Sequence, residues 1–188
     1  MTSGLQVPYK QFSEHDEAKL RELSLLADGD MAEIGCWLGH STSILAQRCK
    51  ELRTNLYVID NFKGNEGTPL KEYAESNDVR GAFLDNMKDL GLLDSIVLLT
   101  MDSDDAVNLI PNVDLLFIDG GHTYKQVLKD LQNYKTKSRI LCGHDYESDT
   151  YDESHVEEDY VNGKHHGVIK AVNEVLGKVN HEGRMWWK

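Results

Sequence analysis

The sequence has few cysteines, few basic residues and no long apolar run, and each shortage excludes a class of protein. Three cysteines, Cys36, Cys49 and Cys142, stand without CxxC spacing. An odd set of this kind builds neither a disulfide framework nor a structural zinc site, and it points to reduced thiols in a cytoplasmic setting. Lys and Arg number 20 against 32 Asp and Glu, for a formal charge of -12. Phosphate backbones and anionic membranes are gripped by clustered basic side chains, so neither a nucleic acid nor a membrane is the expected partner. No span approaches the ~20 apolar residues of a bilayer crossing, and residues 1–11 lack the basic start and apolar centre of a leader. What remains is a soluble, unexported protein with a small or neutral substrate. No internal repeat or low-complexity linker divides the 188 residues, which suit one domain, 1–188, with its own core.

The most informative stretch runs from Val113 to His122. Four consecutive apolar residues, Leu115 to Ile118, suit a strand covered on both faces, and helical periodicity starts only at Tyr124 with Val127, Leu128, Leu131 and Tyr134. Asp119-Gly120-Gly121-His122 therefore lies where a strand hands over to a helix, the place where ligands bind in open parallel sheets. A second strand, residues 138–143, ends on His144-Asp145-Tyr146, so two strand tips carry acid and imidazole groups.

The rest alternates in the same way. Ser13 caps a first helix with a stripe of Leu20, Leu23, Leu26 and Ala27. Strands follow at residues 31–37, 55–62 and 95–101, with helices carrying Ile44, Leu45 and Leu52, then Val79, Phe83, Met87 and Leu90, and a short one stopped by Pro111. Residues 63–68 read as a mobile loop and 147–163 as an acidic surface loop or lid. Val168, Ala171, Val172, Val175 and Leu176 form the last helix, ended by Gly177. The order predicts an α/β fold with a parallel sheet.

Glu33-Ile34-Gly35-Cys36-Trp37-Leu38-Gly39 puts glycines at a strand-to-helix turn, where a backbone without side chains lets a ligand approach. It lacks the G-x-G-x-x-G spacing of dinucleotide sites, and the acid before it disfavours phosphate and favours a cation. Asp60 ends the second strand about 20 residues further on, where a carboxylate can accept both hydroxyls of a ribose. Asp102 and Ser103 end the third.

With these residues in view, the chain resembles the class I S-adenosylmethionine (SAM)-dependent methyltransferases over residues 14–176. The resemblance implies a Rossmann-like class I methyltransferase fold: a mostly parallel central sheet, helices on both faces, and here a shortened C-terminal strand region. It implies that the Glu33 to Gly39 loop passes beneath the methionine part of the cofactor, that Asp60 binds ribose, and that Asp102 and Ser103 flank adenine. Ser41, Asn61 and Asp119 complete the implied cofactor set. IDGGHTY followed by GHDY resembles the branch of metal-dependent sugar O-methyltransferases, such as those acting on macrolide deoxysugars. That branch implies Asp119, His144 and Asp145 as ligands of Mg2+ or Mn2+, with His144 standing where many relatives have a carboxylate. It implies His122 as general base, three residues past Asp119, at an unperturbed pKa of about 6.5. Tyr146, His165 and His166 are candidates for contact with the acceptor.

The expected activity is methylation of a sugar hydroxyl in a glycan, glycoside or natural product. A sugar hydroxyl is a poor nucleophile until it loses its proton, so a metal and a base acting together suit it. A catechol or other phenol is the alternative acceptor within the fold. From other classes, His122, His144 and Asp145 could form a facial triad for non-haem iron, or the chain could be a non-catalytic cofactor-binding domain. The oligomeric state is open, a homo-oligomer included. Each residue also has a purely structural reading: Asp119 as a helix cap, the glycines as a tight turn, His165 and His166 as helix-start residues, and Trp186 and Trp187 as packing for a terminal strand.

Overall fold

The computed structural model describes residues 12–188, so the leader reading of residues 1–11 lies outside the described residues. Among the described residues seven strands form one sheet: β1 (Met31–Ile34), β2 (Leu56–Ile59), β3 (Ile96–Leu99), β4 (Val113–Ile118), β5 (Ser138–Gly143), β6 (Asn180–Glu182) and β7 (Met185–Trp187). Their order is β3-β2-β1-β4-β5-β7-β6. The first five are parallel, and β7 runs antiparallel to both β5 and β6. The 12 residues after the last helix carry two strands of three residues each.

The helices are α1 (Glu14–Leu25), α2 (His40–Leu52), α3 (Pro69–Ser76), α4 (Val79–Asp89), α5 (Ser103–Ala106), α6 (Tyr124–Tyr134) and α7 (His166–Leu176). Side chains alternate across each strand and so feed two cores. Met31, Val58, Leu115 and Phe117 meet α1, α2 and α4 through Leu20, Leu45, Phe83 and Met87. Ala32, Ile34, Leu116 and Leu141 meet α6 and α7 through Val127, Leu131, Ile169 and Val172. Among the described residues no helix is long and apolar enough to cross a membrane. All three cysteines are free and buried.

Two expectations are corrected here, and one helix was missed. Helix α3 was not legible because it buries none of its residues and so has no core stripe. Leu26 leaves the α1 stripe: it is the C-cap, 57% exposed, because the chain turns toward β1 there. The strands from residues 31, 55 and 95 are each four residues long, since their last apolar residues belong to the loops that shape the site.

Sheet register sets up that site. Ile34 pairs with Ile59 on one side and Ile118 on the other, and Ile118 pairs with Gly143. The next residue of each strand lies in the same row, so Asp60, Gly35, Asp119 and His144 stand side by side across four strand tips. The reversal in strand order falls between β1 and β4, where a crevice opens in doubly wound folds.

Candidate active site

A cleft of about 1120 Å³ lies over these tips. Gly35 makes it: with φ +83°, a Cβ on it would lie 2.2 Å from the Asp119 carbonyl oxygen, so only glycine lets the β1 loop pack on the tip of β4. Asp60 fixes the same loop. Its Oδ2 accepts from the amides of Cys36 at 2.8 Å and Trp37 at 2.9 Å, and Oδ1 accepts from the amide of Phe62 at 2.7 Å. Asn61 donates to Asp102 at 2.6 Å, tying the β2 tip to the β3 tip. Ser103 donates to Asp130 of α6 at 2.5 Å, and burial pushes that carboxyl up to about 6. Gly35, Ser41, Asp60, Asn61, Asp102, Ser103 and Asp119 all line the cleft.

Glu33 and Gly39 do not, which corrects their assignment as contacts. Glu33 points into the protein, where the hydroxyls of Ser41 and Thr42 each donate to it at 2.5 Å. Its burial is complete, and this pushes its pKa up to about 8 against the lowering effect of the two hydroxyls. It anchors the start of α2. Gly39 faces α4, where a Cβ would strike Met87. A carboxyl with a raised folded pKa binds its proton more tightly folded than unfolded, so its stability contribution is full below about 4.5 and declines as pH rises toward about 8, by up to ~1.4 kcal/mol per unit. The melting temperature of the wild type relative to Glu33→Gln is therefore expected to fall by several degrees from about pH 5 to about pH 8. A gap that does not change with pH would contradict the buried acid.

The acidic and imidazole groups converge next to this loop. Ligand atoms of Asp119, His144 and Asp145 all lie within 4.8 Å of one another. His144 is 3% exposed, with Nδ1 at 3.5 Å from Asp119 and 3.1 Å from Asp145. Its Nε2 faces Asp16 of α1 at 3.4 Å without hydrogen-bond alignment, and the Phe12 ring lies 4.7 Å away. Asp16, an acid that caps its own helix through Ser13, thus also backs His144, as carboxylates back metal-bound imidazoles. Burial opposes its charge, yet the neighbouring His144 imidazole and the hydrogen bonds from Ser13 and the Arg184 amide hold it well below the usual carboxylate range.

Asp145 takes a left-handed conformation, φ 66°, a local cost of order 1–3 kcal/mol of the kind held at functional sites. That turn brings its Oδ2 to 2.9 Å from His122 Nε2. His122 Nδ1 is 2.8 Å from Asp159 in the 147–163 loop. Burial works against a charged His122, but the carboxylates of Asp145 and Asp159 outweigh it and raise it to about 10. Burial likewise opposes the Asp145 charge, and His122 and His144 hold it well below the ordinary range. Asp119 is raised, by burial and by the charge of Asp145.

Of the acceptor candidates, only His165 lines the cleft, with its ring centroid 4.6 Å from that of His122. Tyr146 is corrected: past the left-handed turn it points to α7 and donates to Asn173 at 2.7 Å. His166 is corrected too, since its Nδ1 accepts from the Asp152 amide at 2.9 Å and pins the 147–163 loop. That loop is no free surface. Through Asp159 it reaches both His122 and, at 3.4 Å, Asn65 of the 63–68 loop. Gly167 allows the approach, because a Cβ there would lie 2.5 Å from the carbonyl oxygens of His122 and Val156.

Sequence reasoning missed Asp16, Asn65, Asp159 and Arg184. Arg184, from the turn between β6 and β7, donates to Asp145 Oδ1 and lies 3.3 Å from Glu147. No local pattern marks any of the four, since each reaches the site from another part of the chain.

A sheet of this order, with a glycine loop at the tip of β1 and an acid at the tip of β2, is the Rossmann-like class I methyltransferase fold. A family model described as a methyltransferase domain matches residues 32–146, and the chain belongs to that family. No curated protein matches the sequence at comparable stringency. Among solved structures the chain is similar to the O-methyltransferase TomG from Streptomyces achromogenes, involved in tomaymycin synthesis and solved with SAM. The TM-score is 0.60 at 14% identity, over 90% of this chain and 78% of that one. It is also similar to an O-methyltransferase from Bacillus cereus in complex with SAH, at TM-score 0.55 and 16% identity, covering 93% and 70%. A third is CalS11, a TDP-rhamnose 3'-O-methyltransferase of calicheamicin biosynthesis, at 0.58 and 13%, covering 91% and 76%. At these identities the likeness is one of fold.

Proposed function

We propose that this methyltransferase moves the methyl group of SAM to a hydroxyl of a sugar in a small glycoside, glycan or natural product, with a divalent cation at Asp119, His144 and Asp145. The observation that carries the reading is the meeting of that ligand set with His122 in one cleft, beside Gly35, Asp60 and Asp102. Two carboxylates and an imidazole backed by Asp16 suit Mg2+ or, with the nitrogen ligand, Mn2+. When bound, such a cation supplies Lewis-acid stabilisation of negative charge on the acceptor oxygen.

The residues of the chain divide the remaining work. The loop from Gly35 to Leu38 and the acids Asp60 and Asp102 form the bed for the cofactor, with Asp60 Oδ1 keeping capacity for a ribose hydroxyl. The new C–O bond forms as the methyl–sulfur bond breaks, and the electron pair stays on sulfur. The hydroxyl proton passes to His122, whose imidazolium sits between Asp145 and Asp159. Asn65, Thr68, Glu157, Asp159 and Tyr160 line the outer cleft, a polar wall suited to a polyhydroxylated acceptor more than to a flat phenol. The charge of -12 argues against a nucleic-acid acceptor.

Methyl-labelled SAM offered with nucleotide sugars, glycosides and catechols, with and without chelator, tests this. Label is expected in the sugar acceptors and to be lost on chelation. Transfer to catechols alone would overturn the sugar reading, and transfer indifferent to chelator would overturn the cation.

A further inference from the structure

The cation reading leaves one side chain without a role, and it lies on the site's most connected acid. Asp145 Oδ1 accepts from Arg184 Nη2 and stands 3.1 Å from His144 Nδ1 and 3.3 Å from His165 Nδ1. Its Oδ2 is engaged by His122. Oδ1 is thus the oxygen on the His144 side, the one a cation shared with Asp119 and His144 would use, and a guanidinium already holds it.

Arg184 is fixed through its backbone while its side chain stays partly open to solvent. Its backbone amide donates to Asp16 at 3.2 Å, which fixes the turn, while its side chain remains 35% exposed on a hairpin of three-residue strands. Glu147 at 3.3 Å from Nε offers a second carboxylate toward which the guanidinium can swing without losing an ionic partner. The acids facing it are Asp16 from α1, Asp119 from the β4 tip, and Asp145 and Glu147 after β5, and the imidazoles of His144 and His165 stand beside them. Four acids stand in this set, and the guanidinium adds a positive charge against them beside the imidazoles.

We propose that Arg184 is a resident counter-cation that competes with the divalent cation for Asp145, holding the ligand set together when it is metal-free and setting the threshold for metal entry. This rests on the cation reading above. Like charges crowded on Oδ1 repel, so ligation there favours turning the guanidinium away, and the work of displacing it subtracts from metal affinity.

The test is Mn2+ titration, by calorimetry and by loss of the free-ion paramagnetic resonance signal, of chelator-stripped protein saturated with SAH. Arg184→Gln, which removes the charge, is expected to bind Mn2+ at least about tenfold tighter than wild type, and Arg184→Lys, which keeps the charge but not the fork, to fall between. Without metal, Arg184→Gln should melt lower than wild type, with a larger gain on adding Mn2+. Equal or weaker binding by Arg184→Gln where the wild type binds would overturn the competition and leave the cation site standing. Weaker binding by Arg184→Lys than by wild type would overturn it as well, and would serve as the deciding variant if the Gln form does not fold. No Mn2+ binding by any of the three would overturn the cation site and the competition together.

Discussion

His122→Ala is expected to bind SAH as the wild type does and to lose turnover by roughly 10²–10⁴-fold, the usual contribution of a positioned base. The cofactor bed lies on β1, β2 and β3, whereas His122 lies past β4 with its ring held on one side by Asp145 and on the other by Asp159. Removing the ring therefore leaves the bed intact and takes away the proton acceptor. The pH dependence has a definite sign. A base works when neutral, and the two carboxylates raise His122 to about 10, so turnover should rise with pH along the limb that His122 governs. Engagement of Asp145 by a cation removes the largest raising charge and should bring that limb down toward the ordinary imidazole value of about 6.5. Rates and a pH profile unchanged in His122→Ala would remove it as the base.

Asp119→Ala is expected to abolish the response to Mg2+ or Mn2+ and to leave turnover at the level of chelated wild type, about a hundredfold or more below the metal-loaded enzyme. Asp119 sits in the middle of the row of strand tips, its amide bonded to the Ile34 carbonyl oxygen at 2.8 Å, and its carboxylate faces His144 Nδ1. Its main chain is fixed by the sheet, so the substitution removes a ligand with little effect on the fold. Asp119→Asn keeps the shape and loses the charge, and the same loss of metal response in both variants assigns the effect to the carboxylate. Metal stimulation that survives in Asp119→Ala would remove it as a ligand.

The framework was legible because buried parallel strands are written as short apolar runs, and each ends on a residue type that a buried strand does not tolerate. Asp60, Asp102, Asp119 and Asp145 announce strand tips for that reason, and the sheet then aligns them. Orientation at a tip was not legible. Tyr146 and His166 were candidates for acceptor contact, yet the left-handed turn at Asp145 sends Tyr146 to Asn173, and His166 turns into the 147–163 loop. Glu33 was visible as an acid before a glycine loop, but its burial depends on the hydroxyls of α2 and on the packing of the sheet. Asp16 and Arg184 are brought together by a single bond between residues 168 positions apart, a distance over which periodicity carries no information. The acidic loop shows the same limit: its charge marks it as solvated, while Asp159 within it closes on His122.

The central claim is that one cleft holds SAM and a divalent cation side by side, and it is tested most directly without knowing the acceptor. Calorimetric titration of chelator-stripped protein with SAH, then with Mn2+, and separately with NAD, reads both halves. The account predicts saturable binding of SAH at one site per chain, binding of Mn2+ to the SAH complex, and no binding of NAD. Absence of SAH binding, or NAD bound in its place, would contradict it.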